Sequence, residues 1–365
     1  MDEEEAPLRI GILGASRISP TSIVEPARLT GARLVAVAAR DRDRAQAFAG
    51  QHGVERVLGS YEDLVNDPEI EAVYNPLANS LHAPWNLAAI AAGKHVLSEK
   101  PFAANATEAR NVRPAGERAG VKVVDGFHYL YHPVTKRLHE LVASGELGEL
   151  RRVETMVMIP PPPPEDPRWS LPLAGGALMD LGCYSLHAIR AMAPLAGGNP
   201  TLINARGAER SGLPGVDEWV DADLVYPSGV TATAQCNMNG TRAEMTYRVI
   251  GSKGQATVAN FILPHTDDSL KVKTNRGQRI EHLGTRSSYT YQLDAFAALI
   301  RHGIPMPTDS ADSVRTMELI DECYKAIGLE PRDSSTQTES LTNSTRTHSR
   351  AAPTASLTSQ TGNAE

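Results

Sequence analysis

The sequence predicts an α/β chain in two parts: a doubly wound parallel sheet over residues 8–127, then an α+β part with an open, predominantly antiparallel sheet over 128–330. Two observations predict the first part. Short apolar, β-rich runs alternate with amphipathic stretches as far as Phe127, the pattern of successive βαβ units, and the first run closes on a glycine-containing turn that opens a helix. A third observation predicts the second part. Between 202 and 285, β-rich runs follow one another with only the turn signals GLPG, PSG, GSKG and NRG between them.

The strands of the first part read as LRIGILGA (8–15), ARLVAVAA (32–39), RVLG (56–59), EAVYNP (71–76), HVLSEK (95–100) and VKVVDGF (121–127). Helical stretches lie between them at 41–52, 80–94 and 105–120. Ser80 and Gly93 supply cap chemistry to the second of these, and Pro114 predicts a kink or break in the third. A helix at 132–144 and a strand at 150–159 lead into PPPPPEDPRW (160–169), whose five successive prolines predict a stiff surface loop. A helix over 177–192, the antiparallel runs, and closing helices at 289–303 and 310–328 complete this part. Residues 1–7 read as an N-terminal extension. Residues 331–365, rich in serine and threonine and without an aromatic, read as a disordered tail because nothing there offsets the entropy of ordering.

At 365 residues, 41% hydrophobic and 22% charged, the chain can bury two ordinary globular cores. A net charge of −7 leaves no basic face for a phosphate backbone and argues against nucleic-acid binding. The acidic start MDEEEAPLRI is unlike a secretory signal, and no run approaches the roughly 18 apolar residues of a membrane span. Cys183, Cys236 and Cys323 are too few and too scattered for a disulfide framework or a metal site. The expectation is a cytoplasmic protein with reduced thiols and no metal.

The turn after the first strand, Gly11-Ile-Leu-Gly14-Ala15-Ser16-Arg17-Ile18-Ser19, resembles the dinucleotide-binding fingerprint, in which small residues let backbone amides approach a pyrophosphate. Only Gly14 fits its slot; Ser16 and Ser19 stand where glycine or alanine is usual. At the end of the second strand, Ala39 removes the carboxylate that would accept from a ribose 2′-hydroxyl, and Arg40 offers a cation to a 2′-phosphate. NADP is therefore expected over NAD, with solvated residues leading into a helix as the alternative reading of Arg40 and Asp41.

Glu99-Lys100-Pro101 after the fifth strand, Asn79-Ser-Leu-His82, the stretch 93–101 and Gly175–Tyr184 together resemble the glucose–fructose oxidoreductase, inositol dehydrogenase and rhizopine-catabolism family over residues 8–330. Tyr184 stands where inositol dehydrogenases carry histidine, as in the branch of dimeric dihydrodiol dehydrogenase and NADP-linked xylose dehydrogenase. Asp125 and Leu130 depart from the family pattern near the expected substrate pocket.

The resemblance implies hydride transfer between NADP(H) and a small sugar, polyol or cyclic diol. It pairs Lys100 with Tyr184 across an interdomain cleft. An ammonium beside tyrosine would lower its pKa from about 10 and make it a usable base. Asp180, Tyr184 and His187 share a helix face by spacing; Asp180 would orient the pair or a substrate hydroxyl, and His187 would touch substrate. Asn79, His82 and Glu99 would meet the nicotinamide ribose. His128 and Trp169 are further pocket candidates, and a homodimer or higher oligomer would cover an apolar open sheet face. Without the resemblance the same residues read as a cap, a half-buried phenol and satisfied core histidines. Two other functions compete: an NADP-binding sensor or subunit without turnover, and an NAD-dependent glycoside hydrolase.

Overall fold

The computed structural model describes residues 6–333; the start of the N-terminal extension and nearly all of the tail assigned from the sequence lie outside the described residues. The first sheet is wholly parallel, with β1 (Arg9–Leu13), β2 (Arg33–Ala38), β3 (Arg56–Val57), β4 (Ala72–Asn75), β5 (His95–Ser98) and β6 (Val123–Asp125) in the order β3-β2-β1-β4-β5-β6. That order reverses between β1 and β4, so a crevice opens at the carboxyl ends of those strands. The strands are continuous apolar runs because helices cover both faces.

The helices are α1 (Glu25–Thr30), α2 (Arg42–His52), α3 (Tyr61–Asn66), α4 (His82–Ala91), α5 (Ala106–Ala119), α6 (Pro133–Ala143), α7 (Cys183–Ala191), α8 (Ser288–His302) and α9 (Ser310–Ala326). Two local expectations fail. Helix α5 runs unbroken through Pro114, which withdraws a donor from the carbonyl of Arg110, but Arg110 is exposed and Pro114 partly so, which leaves that carbonyl on the solvent side of the helix. Ser80 does not cap α4; it sits inside a 3₁₀ turn, Asn79–Leu81, that leads into the helix without a side-chain cap.

The second sheet has the order β14-β13-β12-β11-β7-β10-β9-β8, built from β7 (Leu150–Met158), β8 (Thr201–Glu209), β9 (Asp217–Val225), β10 (Thr231–Asn237), β11 (Glu244–Gly251), β12 (Gly254–Val258), β13 (Ser269–Thr274) and β14 (Gly277–His282). Every pairing is antiparallel except β10 on β7. One face packs on α6 and α7. The other is not apolar, contrary to expectation. Glu154 accepts from Arg152 and Arg248, Thr233 donates to Asp223, and Gln235 donates to Asp221. The alternation of each strand placed charged residues outward, so an assembly through this face would be matched by charge, not driven by apolar burial.

The closing helices return to the first sheet. Leu293, Phe296 and Leu299 of α8 share a buried cluster with Ile10, Ile12 and Val37, and α9 packs on α5. The order continues past the expected boundary at 330. Arg332 is 3% exposed and reaches the fully buried Asp217, which also accepts from the hydroxyl of Tyr324 at 2.9 Å and from the backbone N–H of Leu178 at 2.6 Å. Gly176 sits at φ 130° beside this carboxylate, where a Cβ would strike it.

Removing one partner of a buried ion pair leaves an uncompensated charge. Arg332→Ala is expected to destabilise the protein by about 3–5 kcal/mol in chemical denaturation, and the double variant Arg332→Ala/Asp217→Asn to recover part of that loss.

Candidate active site

A cavity of about 570 Å³ lies between the carboxyl edge of the first sheet and the second sheet, within the range of small-molecule sites. Its first wall is the turn Gly14–Ile18, followed by Arg40 at the end of β2 and by Asn79, His82, Glu99 and Lys100 after β4 and β5. Asp180 and Tyr184 face them from the second part.

The turn is adapted to its serines. Gly14 takes φ 89°, and a Cβ there would come within 3.0 Å of Leu77. The Ser16 and Ser19 hydroxyls lie 2.7 Å apart, and the Ser19 N–H closes back on Ser16. The helical run that follows opens as a π-turn, Pro20–Val24, before α1. At the far end, Asp41 is occupied as the N-cap of α2, accepting from the Arg44 N–H at 3.0 Å. Arg44, not singled out from the sequence, also lines the cavity and donates to the carbonyl of Ala15 at 2.6 Å. Two arginines and no uncommitted acid thus face the place of a ribose 2′-substituent, which fits a 2′-phosphate.

Lys100 lies two residues beyond β5. Its Nζ donates to the backbone carbonyl of Asp180 at 2.8 Å and lies 3.3 Å from the Asp180 carboxylate. Burial is the largest influence on the ammonium and opposes its charge, but Asp180, Cys183 and Glu99 together outweigh it and lift the pKa above that of an ordinary lysine. Burial likewise opposes the Asp180 charge, yet Lys100 and Arg168 hold its carboxyl below the usual range. Arg168 donates to Asp180 at 2.6 Å and pairs with Asp166, which in turn accepts from Arg17 at 2.9 Å. A chain of charges therefore runs from the turn after β1, through the proline-rich loop, to Lys100. The loop is anchored by Trp169, whose indole donates to the carbonyl of Pro162 at 3.2 Å and carries the Arg210 guanidinium 3.8 Å above its ring.

Tyr184 departs from the expected pairing. Lys100 Nζ sits over its ring, 4.9 Å from the centroid, and it is the Nε2 of His128 that lies 3.1 Å from the hydroxyl. Burial, with Tyr289 and Glu99 adding to it, holds the Tyr184 pKa well above 10. The resting phenol is thus an acid that keeps its proton, not a base. His128 stacks on Tyr289 with centroids 3.6 Å apart, accepts or donates at Ser288 Oγ (2.8 Å), and is kept neutral by burial and by Lys100.

Not every sequence candidate reaches the cavity. His128 stands behind Tyr184 and Trp169 behind the loop; neither lines it. His187 is 2% exposed, stacked on Phe127 and bonded to Tyr129 (2.7 Å) and Asp312 (3.0 Å), because the helix runs inward from the cavity and one turn past Tyr184 the same face meets α9. Asp125 is 1% exposed and Leu130, partly buried, packs against the core; neither lines the cavity. His82 lines it, but both ring nitrogens face carbonyls, those of Pro101 and Leu77, and burial pushes its pKa down to about 4. Glu99 accepts from Tyr74 at 2.8 Å, and burial raises its pKa. Asn79 donates to the carbonyl of Ala174 at 3.0 Å, which ties the two walls together. Arg168, Tyr61 and Tyr289 join the lining without having been singled out; Arg168 follows the proline run and Tyr289 opens the first closing helix, positions whose function only the third dimension reveals. Among the described residues, no group of three or more His, Cys, Asp or Glu side chains could hold a metal, and no helix is long and apolar enough to cross a membrane.

Comparison with known proteins defines the class. Residues 8–127 match the oxidoreductase family with an NAD-binding Rossmann fold, and residues 135–257 match the GFO/IDH/MocA C-terminal domain. The chain belongs to the GFO/IDH/MocA oxidoreductase family. Among its relatives, an NADP-linked D-xylose dehydrogenase of Haloferax volcanii is 35% identical, over 87% of this chain and 97% of that protein. The trans-dihydrobenzenediol dehydrogenase of Sus scrofa is 31% identical, over 88% and 97%. A ketoreductase from Actinomadura kijaniata, solved with NADP and TDP-benzene, superimposes with a TM-score of 0.81 at 27% identity, covering 88% of this chain and 98% of that one. It has also been solved with one tyrosine changed to phenylalanine and with one lysine changed to alanine.

Proposed function

We propose that this chain is an NADP(H)-dependent dehydrogenase or reductase that interconverts a carbinol and a carbonyl on a small sugar or diol, with Lys100 and Tyr184 as its acid–base pair and Asp180 as the residue that sets Lys100. The observation that carries the reading is the convergence of Lys100, Asp180 and Tyr184 on the cavity whose far wall is the dinucleotide turn. The names of the relatives support both the redox class and NADP. None of those names favours the sensor or the glycoside hydrolase, and a pure binder has no need of a charged lysine and a proton-bearing phenol side by side.

When bound, NADP(H) supplies or accepts the hydride. Gly14–Ile18 would hold its pyrophosphate, Arg40 and Arg44 its 2′-phosphate, and Asn79 and Glu99 its nicotinamide ribose. The chain's own contribution is the proton. In reduction, the Tyr184 hydroxyl gives its proton to the carbonyl oxygen, and the Lys100 ammonium stabilises both that oxygen and the phenolate left behind. In oxidation the phenolate must form first, which its burial opposes.

Lys100→Met and Tyr184→Phe are each expected to lower kcat by about a hundredfold to ten-thousandfold while NADPH affinity, read by fluorescence titration, stays within about threefold of the original. Wild-type turnover in either variant would refute the pair. For the cofactor, Arg40→Ala with Arg44→Ala should raise KM for NADP by about tenfold to a hundredfold, the worth of charge-assisted bonds, and leave KM for NAD little changed. For pH, the raised Tyr184 pKa keeps the acid form present throughout the range about 6–9, well below its reference value near 10. Reductive kcat/KM should be flat there, and oxidative kcat/KM should climb without a plateau; a reductive rate that falls through neutrality would contradict the assignment.

A further inference from the structure

Behind Tyr184 lies a buried imidazole to which the proton transfer above gives no part. His128 and Ser288 are both fully buried. The Nε2 of His128 lies 3.1 Å from the Tyr184 hydroxyl, and its Nδ1 lies 2.8 Å from the hydroxyl of Ser288, which opens α8. Stacking on Tyr289, with centroids 3.6 Å apart, fixes the plane of the ring. Burial, Lys100 and His265 all oppose a second proton on it; the phenols of Tyr184 and Tyr289 are the other titratable groups against the ring. A neutral imidazole carries one N–H, on one nitrogen or the other.

The two tautomers differ in what they ask of Ser288. With the proton on Nδ1, the ring donates to the serine oxygen, and the hydroxyl proton is left without an acceptor. Among the described residues the Ser288 hydroxyl has no other partner. A buried donor without an acceptor is unfavourable and rare, whereas an oxygen with an unused lone pair is tolerated. In that tautomer Nε2 would also accept from the phenol and turn its proton away from the cavity. With the proton on Nε2, Ser288 donates to Nδ1 and the ring donates to the Tyr184 oxygen. The phenol's own proton is then left to face the cavity that Tyr184 lines.

From this asymmetry we infer that His128 is a positioning residue for the reaction: held by Ser288 as the Nε2–H tautomer, it donates to the Tyr184 oxygen and aims the phenol's proton at the substrate. In reduction the O–H bond of Tyr184 breaks and a new O–H bond forms on the substrate. No proton passes through His128; its hydrogen bond strengthens as charge gathers on the phenolate. The inference rests on the acid–base reading of Tyr184 given above.

Two measurements on the full chain test it. The first needs no substrate. In NADP-loaded protein carrying nitrogen-15 in its histidines, NMR separates protonated from unprotonated ring nitrogens, and the His128 signals are those lost in His128→Gln. Nε2 is expected to carry the proton, and Nδ1 none, from about pH 6 to 9, a range spanning the reference histidine value near 6.5. In Ser288→Ala the Nδ1–H form should appear. A proton on Nδ1 in the original protein, a cationic ring at neutral pH, or an unchanged tautomer in Ser288→Ala overturns the inference.

The second follows turnover by the absorbance of reduced nicotinamide, with D-xylose and the trans-dihydrodiol of benzene as probes. His128→Phe keeps a stacked ring and loses the donor; kcat should fall by about tenfold to a hundredfold while KM stays within about threefold. His128→Gln, which returns an N–H near the place of Nε2, should recover part of that loss. In a Tyr184→Phe background, His128→Phe should cost nothing further, because the oxygen it serves is gone. An undiminished further loss in that background, or wild-type kcat in His128→Phe, overturns the inference. Wild-type turnover in Tyr184→Phe instead overturns the acid–base reading, while the NMR measurement still decides which nitrogen of His128 carries the proton.

Discussion

A buried ammonium must be answered by a carboxylate, and that requirement governs this molecule. Lys100 leaves the first sheet at the carboxyl end of β5, where the neighbouring Glu99 supports its charge. Asp180 arrives from the second part and does so, through its carboxylate and its main-chain carbonyl. The two halves are thus joined beside the cavity that Lys100 and Asp180 both line. Each partner also changes the other: together they hold both charges against a burial that would otherwise erase them. Arg168, Asp166 and Arg17 extend the pairing to the dinucleotide turn, so the position of Lys100 is tied to the walls on either side of it.

Tyr184 shows what the same burial does to a group without a counter-charge at its reactive atom. Lysine over the face of the ring helps the aromatic system but leaves the hydroxyl an acid. His128, neutral and stacked, holds that hydroxyl from behind. Burial thus keeps the Tyr184 phenol protonated.

The first sheet was legible strand by strand, because a parallel sheet covered on both faces demands apolar runs that sequence displays openly. Gly14, Arg40, Lys100, Asp180 and Tyr184 were legible too, the first pair from local chemistry and the others through resemblance. The misses have physical causes. His187 has the right helical spacing, but periodicity says nothing of where the cavity stops. Arg44 and Arg168 matter through partners 29 and 12 residues away, Ala15 and Asp180, which local patterns do not record. The open face of the second sheet looked apolar when its runs were read whole; period-two alternation sends Arg152, Glu154 and Arg248 to that side. Pro114 signals a kink by the local rule, yet α5 continues through it because the lost hydrogen bond falls on the exposed side of the helix.

The contact of Arg332 with Asp217 has a consequence for how the protein is made. Chains emerge from the N-terminus, and their early parts fold first. Here Asp217, whose carboxylate caps the start of the helical run bearing Asp180 and Tyr184, is synthesised more than a hundred residues before the cation that neutralises it. Helix α8, which covers Ile10 and Ile12, also comes late. Before those segments are in place, Ile10 and Ile12 lack the cover of α8 and Asp217 lacks its cation. The support behind the Asp180–Tyr184 run therefore depends on a residue 115 positions later in the chain than Asp217.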